Sequence, residues 1–405
     1  MTAYFFQTDA SQARREIKSA KAGNKNGNPI HARREIKSAK AGNKNGNPIH
    51  VKSKILAAIA DPSCPLDSIF IAQSSGCVRR VRVDNAESPQ TTYRGPKAPV
   101  TCLAIGGIEN QTLFAGSWDK DVWSWDVASG RPGRKYNGHA DFVKTIVCAR
   151  LAGHELLISG GADRKIIVWD VETGRRLYDI QDAAKTMLAV QHVAVDPALS
   201  NQDTLVLVSA SSDPHIRRWE LSLDGYQQLF GSARSSGGTE RPTIHEHDTS
   251  VYKLFFDTKV DEVDLWTASA DGNVKCLARN QGFAADEVLV HGDYVRAVVV
   301  TPHWVVSAGR DDNVKVWDRR TGKLHCSLEG HFEEVTDLVL LRDGQGSPKL
   351  VCSVSIDGTI RTWPLSESEL AEVVSRAGRV EPATGTEQQL TAEEEAELAE
   401  LLDDQ

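Results

Sequence analysis

Histidines and aspartates, which enzymes use for proton transfer, recur near tryptophans in this sequence. Two stretches contain His, Ser, Asp and Trp in this order: His139, Ser159, Asp163 and Trp169, and His331, Ser353, Asp357 and Trp363. Their residue types could suggest a catalytic centre. We favour a structural interpretation, because buried polar groups need partners and each linked set would pair its own polar atoms.

No recognised catalytic motif accompanies these sets. The chain has no P-loop, no H-E-x-x-H, no G-x-S-x-G and no run with metal-ligand spacing. The seven cysteines are scattered and form no C-x-x-C pair, which is typical of reduced thiols in an intracellular protein. We therefore expect no enzymatic activity, no cofactor and no metal.

The aspartates and tryptophans belong to a degenerate repeat, in which a turn Asp precedes an aromatic or apolar residue by six positions. The pairs are Asp119/Trp125, Asp163/Trp169, Asp213/Trp219, Asp271/Leu277, Asp311/Trp317 and Asp357/Trp363, with a weaker match at Ser75/Val81. Within residues 139–182 the pattern predicts four short strands separated by turns. Strands at this spacing without intervening helices predict an all-β, closed or radially repeated architecture.

These residues resemble the WD-repeat β-propeller family over roughly residues 51–365. The resemblance implies seven blades, each stabilised by a network from a loop His through a Ser or Thr and the turn Asp to the Trp. It also implies partial networks of His247 with Ser269 and Asp271, and of His291 with Ser307 and Asp311. No such His precedes the units around Trp125 and Trp219.

The chain ends differ sharply in charge, although the net charge is only −8. Residues 1–50 contain ten Lys/Arg against three Asp/Glu, whereas residues 365–405 contain two Arg against twelve Asp/Glu. The nineteen residues 13–31 recur without a difference at 32–50, and they are too polar to form a stacking unit. We expect the propeller to fold with one copy.

These features predict four regions. Residues 1–7 are the predicted ring-closing strand, 8–54 a basic insert, 55–365 the propeller and 366–405 an acidic helical tail. Closure by residues 1–7 is predicted because AYFFQ is the one aromatic, apolar stretch before residue 51, and pairing it with the last blade would remove two open sheet edges. Residues 221–248 are too long for a hairpin and are predicted to form a loop.

The family resemblance also places a set of loop residues on one face, called the top. They are Pro99, Phe142, Ser250, Tyr294 and Glu334 before the first strand of their units, and Trp118 and Arg310 before the turn Asp. Exposed Trp, Tyr and Arg side chains are the types that anchor interfaces. We predict that this face grips an extended peptide; the alternative is that these side chains pack against each other.

The most favoured function is a non-enzymatic scaffold that binds proteins or peptides inside the cell, in the cytoplasm or nucleus. Trp317, Asp318 and Arg320 fit W-D-x-R, which resembles the box by which WD-repeat substrate receptors contact the adaptor of cullin ubiquitin ligases. A third possibility is an assembly chaperone whose acidic tail holds a basic client. The acidic body argues against nucleic acid as a partner, and the absence of a long apolar run predicts no membrane span.

Overall fold

The computed structural model describes residues 43–84, 90–182, 185–230, 243–258 and 263–377. These residues form seven four-stranded antiparallel sheets, the blades, together with one α-helix and two 3-10 helices, Ile108–Asn110 and Arg279–Gln281. The inner strands of neighbouring blades contact each other around a complete ring, from the first blade to the seventh and back to the first. The structure confirms the predicted all-β, seven-bladed propeller.

The strands of each blade follow one another along the chain, apart from the outermost strand of the last blade. Blade 1 has β2 (Ile55–Ala60), β3 (Ser68–Gln73), β4 (Cys77–Arg82) and β5 (Thr91–Arg94); blade 2 has β6 (Val100–Gly106), β7 (Thr112–Ser117), β8 (Asp121–Asp126) and β9 (Pro132–Asn137). Blade 3 has β10 (Val143–Leu151), β11 (His154–Gly161), β12 (Ile166–Asp170) and β13 (Arg176–Ile180); blade 4 has β14 (Val190–Val195), β15 (Leu205–Ser211), β16 (Ile216–Leu221) and β17 (Tyr226–Leu229). Blade 5 has β18 (Val251–Phe256), β19 (Leu265–Ser269), β20 (Asn273–Ala278) and β21 (Ala284–Val290); blade 6 has β22 (Val295–Val300), β23 (Trp304–Gly309), β24 (Asn313–Asp318) and β25 (Leu324–Glu329). Blade 7 has β26 (Val335–Arg342), β27 (Pro348–Ser355), β28 (Thr359–Pro364) and, on its outer edge, β1 (Ile49–His50).

The hydrophobic core is divided among the seven interfaces between neighbouring blades. Each interface has one cluster of buried apolar side chains drawn from both blades, such as Ile158 and Val168 of blade 3 with Leu207 and Trp219 of blade 4. The second strand of a blade is covered on both faces, and β15 is buried along its whole length. This double burial explains why LVLVSAS is almost continuously apolar instead of alternating.

The outer edge of the last blade, which we predicted residues 1–7 to occupy, is occupied by residues 46–51; residues 1–7 themselves lie outside the described residues. Ile49 pairs with Ile360 and His50 with Thr359. On either side, Thr362 donates its backbone N–H to Gly46 at 2.8 Å and Val51 donates to Gly358 at 2.8 Å. The boundary predicted at residue 54 is therefore also wrong, since residues 43–54 belong to the propeller.

The physical reason for this error is that an outermost strand needs little apolar surface. Backbone hydrogen bonds hold it, and one buried side chain, Ile49 with 6% of its surface exposed, fixes it in the cluster between blades 7 and 1. The aromatic content of AYFFQ was therefore the wrong criterion. Residues 43–50, NKNGNPIH, are the last eight residues of the second copy of the duplicated segment.

The helix α1 (Glu367–Ala377) follows β28 and packs on the last two blades. Leu370 is fully buried in the cluster that contains Trp304 and Trp363. The Leu365 carbonyl, just before the helix, accepts the indole N–H of Trp304 at 2.9 Å. None of the helical residues that the structure describes forms a span with the length and apolarity that crossing a membrane requires.

The segment 221–248, which we predicted to be a loop, contributes to blade 4. Tyr226–Leu229 pairs with β16 as the fourth strand, and Ile244 pairs with Ile216. The four-residue strand YQQL is polar, so it lacks the alternation by which longer strands are recognised. Residues 231–242 of this segment lie outside the described residues.

Candidate protein-interaction face and central pocket

The two complete His–Ser–Asp–Trp sets form continuous hydrogen-bond networks within their blades. In blade 3, His139 Nδ1 lies 3.0 Å from Asp163, its Nε2 lies 2.8 Å from Ser159 Oγ, and the Trp169 indole donates to the same hydroxyl at 2.9 Å. In blade 7 the corresponding atoms of His331, Asp357, Ser353 and Trp363 lie at 3.0, 2.8 and 2.9 Å. Ser159 and Ser353 are fully buried.

Of the two partial networks, the one predicted in blade 6 is confirmed and the one predicted in blade 5 is wrong at one residue. In blade 6 the set is complete, because the Trp317 indole donates to Ser307 Oγ at 2.7 Å while His291 contacts both Ser307 and Asp311. In blade 5 the hydroxyl is Thr267, and the prediction of Ser269 is wrong. Thr267 precedes Asp271 by the same four positions that separate Ser159 from Asp163, and this spacing identifies it from sequence alone.

Blade 4 replaces the histidine by an arginine that the sequence analysis missed. Arg217 is 1% exposed, and its guanidinium lies 3.1 Å from Asp213 and 3.8 Å from Asp182. The Trp219 indole still donates to a strand hydroxyl, Ser209, at 2.8 Å. The available signal was an Arg four residues after the turn Asp, where the other blades with a turn Asp have Lys, Trp, Ile or another Arg.

The protonation states agree with a structural role for these networks. Burial raises the pKa of Asp271, but hydrogen bonding and the charge of His247 outweigh it, and the pKa falls to about 2. Burial lowers the pKa of His331 below 6.5 despite the opposing effect of Asp357. The carboxylates are thus ionised hydrogen-bond acceptors, and the polar groups of each set satisfy one another inside the blade.

A repeated backbone contact brings the predicted interaction residues together at one end of the blades. In every blade, a residue in the turn between the second and third strands donates its N–H to the residue before the inner strand. The pairs are Ser74–Lys54, Trp118–Pro99, Ala162–Phe142, Ser212–Ala189, Ala270–Ser250, Arg310–Tyr294 and Ile356–Glu334, at 2.8–3.2 Å. We call the surface formed by these fourteen residues the binding face.

The large side chains of the binding face occur as two pairs. Trp118 of blade 2 stacks on Phe142 of blade 3, with ring centroids 4.9 Å apart and an interplanar angle of 16°. The guanidinium of Arg310 lies 5.2 Å from the ring centroid of Tyr294 in blade 6. These residues pack against each other, yet Trp118 and Tyr294 each keep 43% of their surface exposed and Phe142 keeps 38%.

The remaining predicted residues of this face are smaller or already paired. Pro99 and Ser250 are half-buried, and the Ser250 hydroxyl donates to the Ser212 carbonyl at 3.0 Å. Glu334 forms an ion pair with Arg296 at 2.9 Å. The side chains of the two pairs are therefore the principal apolar surface that is exposed on the binding face.

A cavity of about 440 Å³ opens at the centre of the binding face, where the inner strands begin. Its wall includes Trp118, Glu334 and Ile356 of the face, together with residues at the starts of all seven inner strands. We call this cavity the central pocket. Within the described ranges, no group of three or more His, Cys, Asp or Glu side chains is placed to hold a metal ion.

Comparison with known proteins supports this architecture. A WD repeat-containing protein of Schizosaccharomyces pombe, whose role is uncharacterized, is 31% identical over 409 residues, which cover 99% of this chain and 98% of that protein. The chain belongs to the WD-repeat family. Proteins of this family are generally scaffolds for protein interactions.

Two family descriptions match parts of this WD-repeat protein. The WD domain, G-beta repeat, matches residues 87–126, 287–318 and 322–364, and the tRNA methyltransferase TRM82 WD40 domain matches residues 134–230. The nuclear distribution protein nudF of Aspergillus niger is 25% identical, over 69% of this chain and 62% of its own length. The ribosome biogenesis protein WDR12 homolog of Drosophila mojavensis is 24% identical, over 70% and 67%.

The W-D-x-R residues of the WD-repeat protein lie at the opposite end of blade 6 from the binding face. Trp317 is 5% exposed and belongs to the core, and Asp318 accepts hydrogen bonds from the backbone and hydroxyl of Thr321 at 2.8 Å. Asp170 with Thr173 forms the same turn in blade 3. Arg320 is exposed, whereas Asp318 is half-buried and Trp317 is buried.

Proposed function

We propose that this WD-repeat protein is a non-enzymatic scaffold that binds an extended segment of a partner protein on its binding face. The observation that supports this proposal most directly is the exposed Trp118–Phe142 stack at the rim of the central pocket. Stacked aromatic rings are rigid and apolar, and Trp is among the residues that contribute most to binding at interfaces.

We also propose that the protein acts as one subunit of a multi-subunit complex. The match of residues 134–230 to a WD40 domain described with a tRNA methyltransferase supports a subunit that accompanies an enzyme. The polar networks of the blades, whose atoms pair with one another, suit rigid presentation of loops better than turnover of a substrate. An intracellular location, in the cytoplasm or nucleus, remains part of this proposal.

Affinity capture with tagged full-length protein tests the proposal. Trp118→Ala should remove a set of bound proteins, because loss of a central aromatic anchor weakens an interface by about 2 kcal/mol or more, roughly thirtyfold. Ile108→Ala is the matched control: Ile108 is 77% exposed in the same blade, but it lies at the other end of β7. Melting temperatures of both variants establish that they fold.

The outcomes separate the scaffold from its alternatives. An unchanged set of partners in Trp118→Ala would overturn the proposal. Loss of a ligase adaptor in Arg320→Ala would favour the substrate receptor, in which Trp317 and Asp318 only shape the turn that carries the arginine. Loss of a basic client upon deletion of residues 386–405 would favour the assembly chaperone.

A further inference from the structure

The wall of the central pocket is built from seven β-bulges, one at the start of every inner strand. In each blade the register shifts between the first residue of the strand and the third, so the second residue is left out of the ladder. These second residues are Leu56, Thr101, Lys144, Gln191, Tyr252, Arg296 and Thr336, and all seven line the pocket. Bulges commonly redirect side chains towards functional sites.

The charges on this wall are unevenly distributed. Blades 3, 5 and 6 have the cations Lys144, Lys253 and Arg296 at the second or third position of the inner strand. Blades 1 and 2 have only neutral side chains at these two positions. His192 also lines the pocket, and burial together with the charge of Lys253 holds its pKa well below 6.5. The imidazole is therefore neutral near pH 7, and the positive charge comes from the three longer side chains.

Two of these cations already have carboxylate partners. Lys253 lies 2.8 Å from Asp337 of blade 7, and the side chains of this pair are 22% and 10% exposed. Arg296 lies 2.9 Å from Glu334 at the more exposed rim, and its guanidinium lies 4.4 Å from the ring centroid of Tyr252. The planar guanidinium has five N–H donors, so one contact with Glu334 leaves donors for a second anion.

Lys144 differs because its hydrogen bond goes to a neutral group. Its ammonium donates to Gln191 Oε1 at 2.9 Å. Burial lowers the pKa of Lys144, and the positive charge of Arg296 lowers it further, while Asp141 opposes both effects. A half-buried ammonium with a neutral partner and a second cation near it creates a positive potential that an incoming anion would relieve.

We propose that the central pocket binds an anionic side chain, a carboxylate or a phosphate group, carried by an acidic segment of a partner protein and held by Lys144 and Arg296. This inference rests on the proposed scaffold function and names the chemistry of its ligand. The segment lies across the Trp118–Phe142 stack and inserts one anionic group between blades 3 and 6. Charge-assisted hydrogen bonds of this kind also fix the orientation of the bound chain.

A protein segment fits this surface better than a nucleic acid does. Nucleic-acid binding needs a basic stripe that follows many phosphates. Here Lys144, Lys253 and Arg296 cluster in the pocket, while the surrounding loops mix cations such as Lys54 and Arg310 with the carboxylates Asp119, Asp141 and Glu334. This rim of mixed charge offers no continuous basic path for a polyanion, whereas a single anionic side chain on a peptide reaches the cations of the pocket.

Thermal unfolding of the full-length protein with two small probes tests the inference. Sodium glutarate and inorganic phosphate are each titrated at constant ionic strength against sodium chloride, because a ligand that binds the native state raises the melting temperature. The wild type should show a saturable increase with at least one probe. Lys144→Gln and Arg296→Gln should each weaken the apparent affinity at least fivefold, and the double variant should show no saturable increase.

The control variant is Lys165→Gln, which removes a cation of blade 3 that lies outside the pocket and pairs with Asp179. It should respond to the probes as the wild type does. A response to glutarate alone assigns a carboxylate ligand, a response to phosphate alone assigns a phosphorylated one, and either supports the inference. No response, or an equal response in the double variant, overturns it.

Combined with the capture experiment, these outcomes distinguish the two proposals. If Trp118→Ala loses its partners while neither probe binds, the scaffold proposal holds and the anionic ligand is wrong. If a probe binds through Lys144 and Arg296 while Trp118→Ala and the double variant keep all partners, the pocket binds anions but the binding face is not the interface.

Discussion

The closing strand offers a quantitative test, because the chain contains its sequence twice. Residues 24–31 and 43–50 both read NKNGNPIH, and the second copy forms the edge of blade 7. The perturbation is Ile49→Ala, which removes most of a side chain that is 6% exposed in a core cluster. Substitutions of this kind cost about 2–5 kcal/mol, and we expect about 3 kcal/mol at this edge position.

The first copy can limit this loss. If residues 24–31 replaced residues 43–50, Ile30 would take the place of Ile49 and every contact of β1 with β28 could form again. The connection to β2 would lengthen from residues 51–54 to residues 32–54, roughly sixfold. Loop closure over that length costs about 1.5 kcal/mol. The apparent loss in Ile49→Ala should therefore be about 1.5 kcal/mol, half of the intrinsic cost.

Urea unfolding of three further chains completes the test. Ile30→Ala/Ile49→Ala should lose the full value of about 3 kcal/mol, because neither copy then has the isoleucine. Deletion of residues 13–31 should leave stability unchanged, and Ile49→Ala in that shorter chain should match the double variant. An equal loss in the single and double variants would refute exchange between the copies. No loss in any of them would refute the assignment of the closing strand.

Four other predictions concern the polar networks. Ser159→Ala leaves a buried imidazole nitrogen and an indole N–H without their partner and should cost about 1–3 kcal/mol in chemical unfolding, whereas the exposed Ser375→Ala should cost little. Arg217→Met strands two buried carboxylates and should cost about 3–5 kcal/mol; a wild-type melting temperature would contradict the network assigned to blade 4. Burial holds the pKa of His331 in the folded protein below its unfolded value. The contribution of His331 to stability is therefore complete above pH 6.5 and is lost as pH falls. The urea midpoint should decrease from pH 7.5 to 5.5, and it should decrease less steeply in His331→Gln. The depressed pKa of Asp271, about 2, adds a second loss between pH 4 and 2, which Asp271→Asn should remove.

The repeat unit could be predicted because its signals are local. An Asp in a turn, a Trp six positions later and short alternating runs specify one blade without reference to the rest of the chain. The same regular spacing identified His139 and His331. The spacing was misapplied in blade 5, where we chose Ser269 and the hydroxyl partner of His247 is Thr267, two residues earlier. It gave no prediction for blade 4, where Arg217 on the third strand supplies the donors to Asp213.

The binding face was predictable only in part. Its residues follow from their positions in the repeat, so Trp118, Phe142, Tyr294 and Arg310 could be named in advance. The stacking of Trp118 on Phe142 could not, because these residues belong to different blades and meet through the angle between two sheets. The central pocket was missed altogether, since no single unit contains it.

The sequence by itself determined the seven blades, their strand order and the turn that positions each Asp and Trp, because these depend on contacts within about forty residues. Tertiary structure alone decided which segment closes the ring and which charges share the pocket. Ile49 meets Ile360, and Lys253 meets Asp337 84 residues later in the chain, only after all seven sheets are arranged around one axis. Backbone pairing at the edge of blade 7 and charge pairing across the central pocket depend on how the seven blades are arranged. A short polar segment such as NKNGNPIH has no local sequence pattern that predicts this pairing.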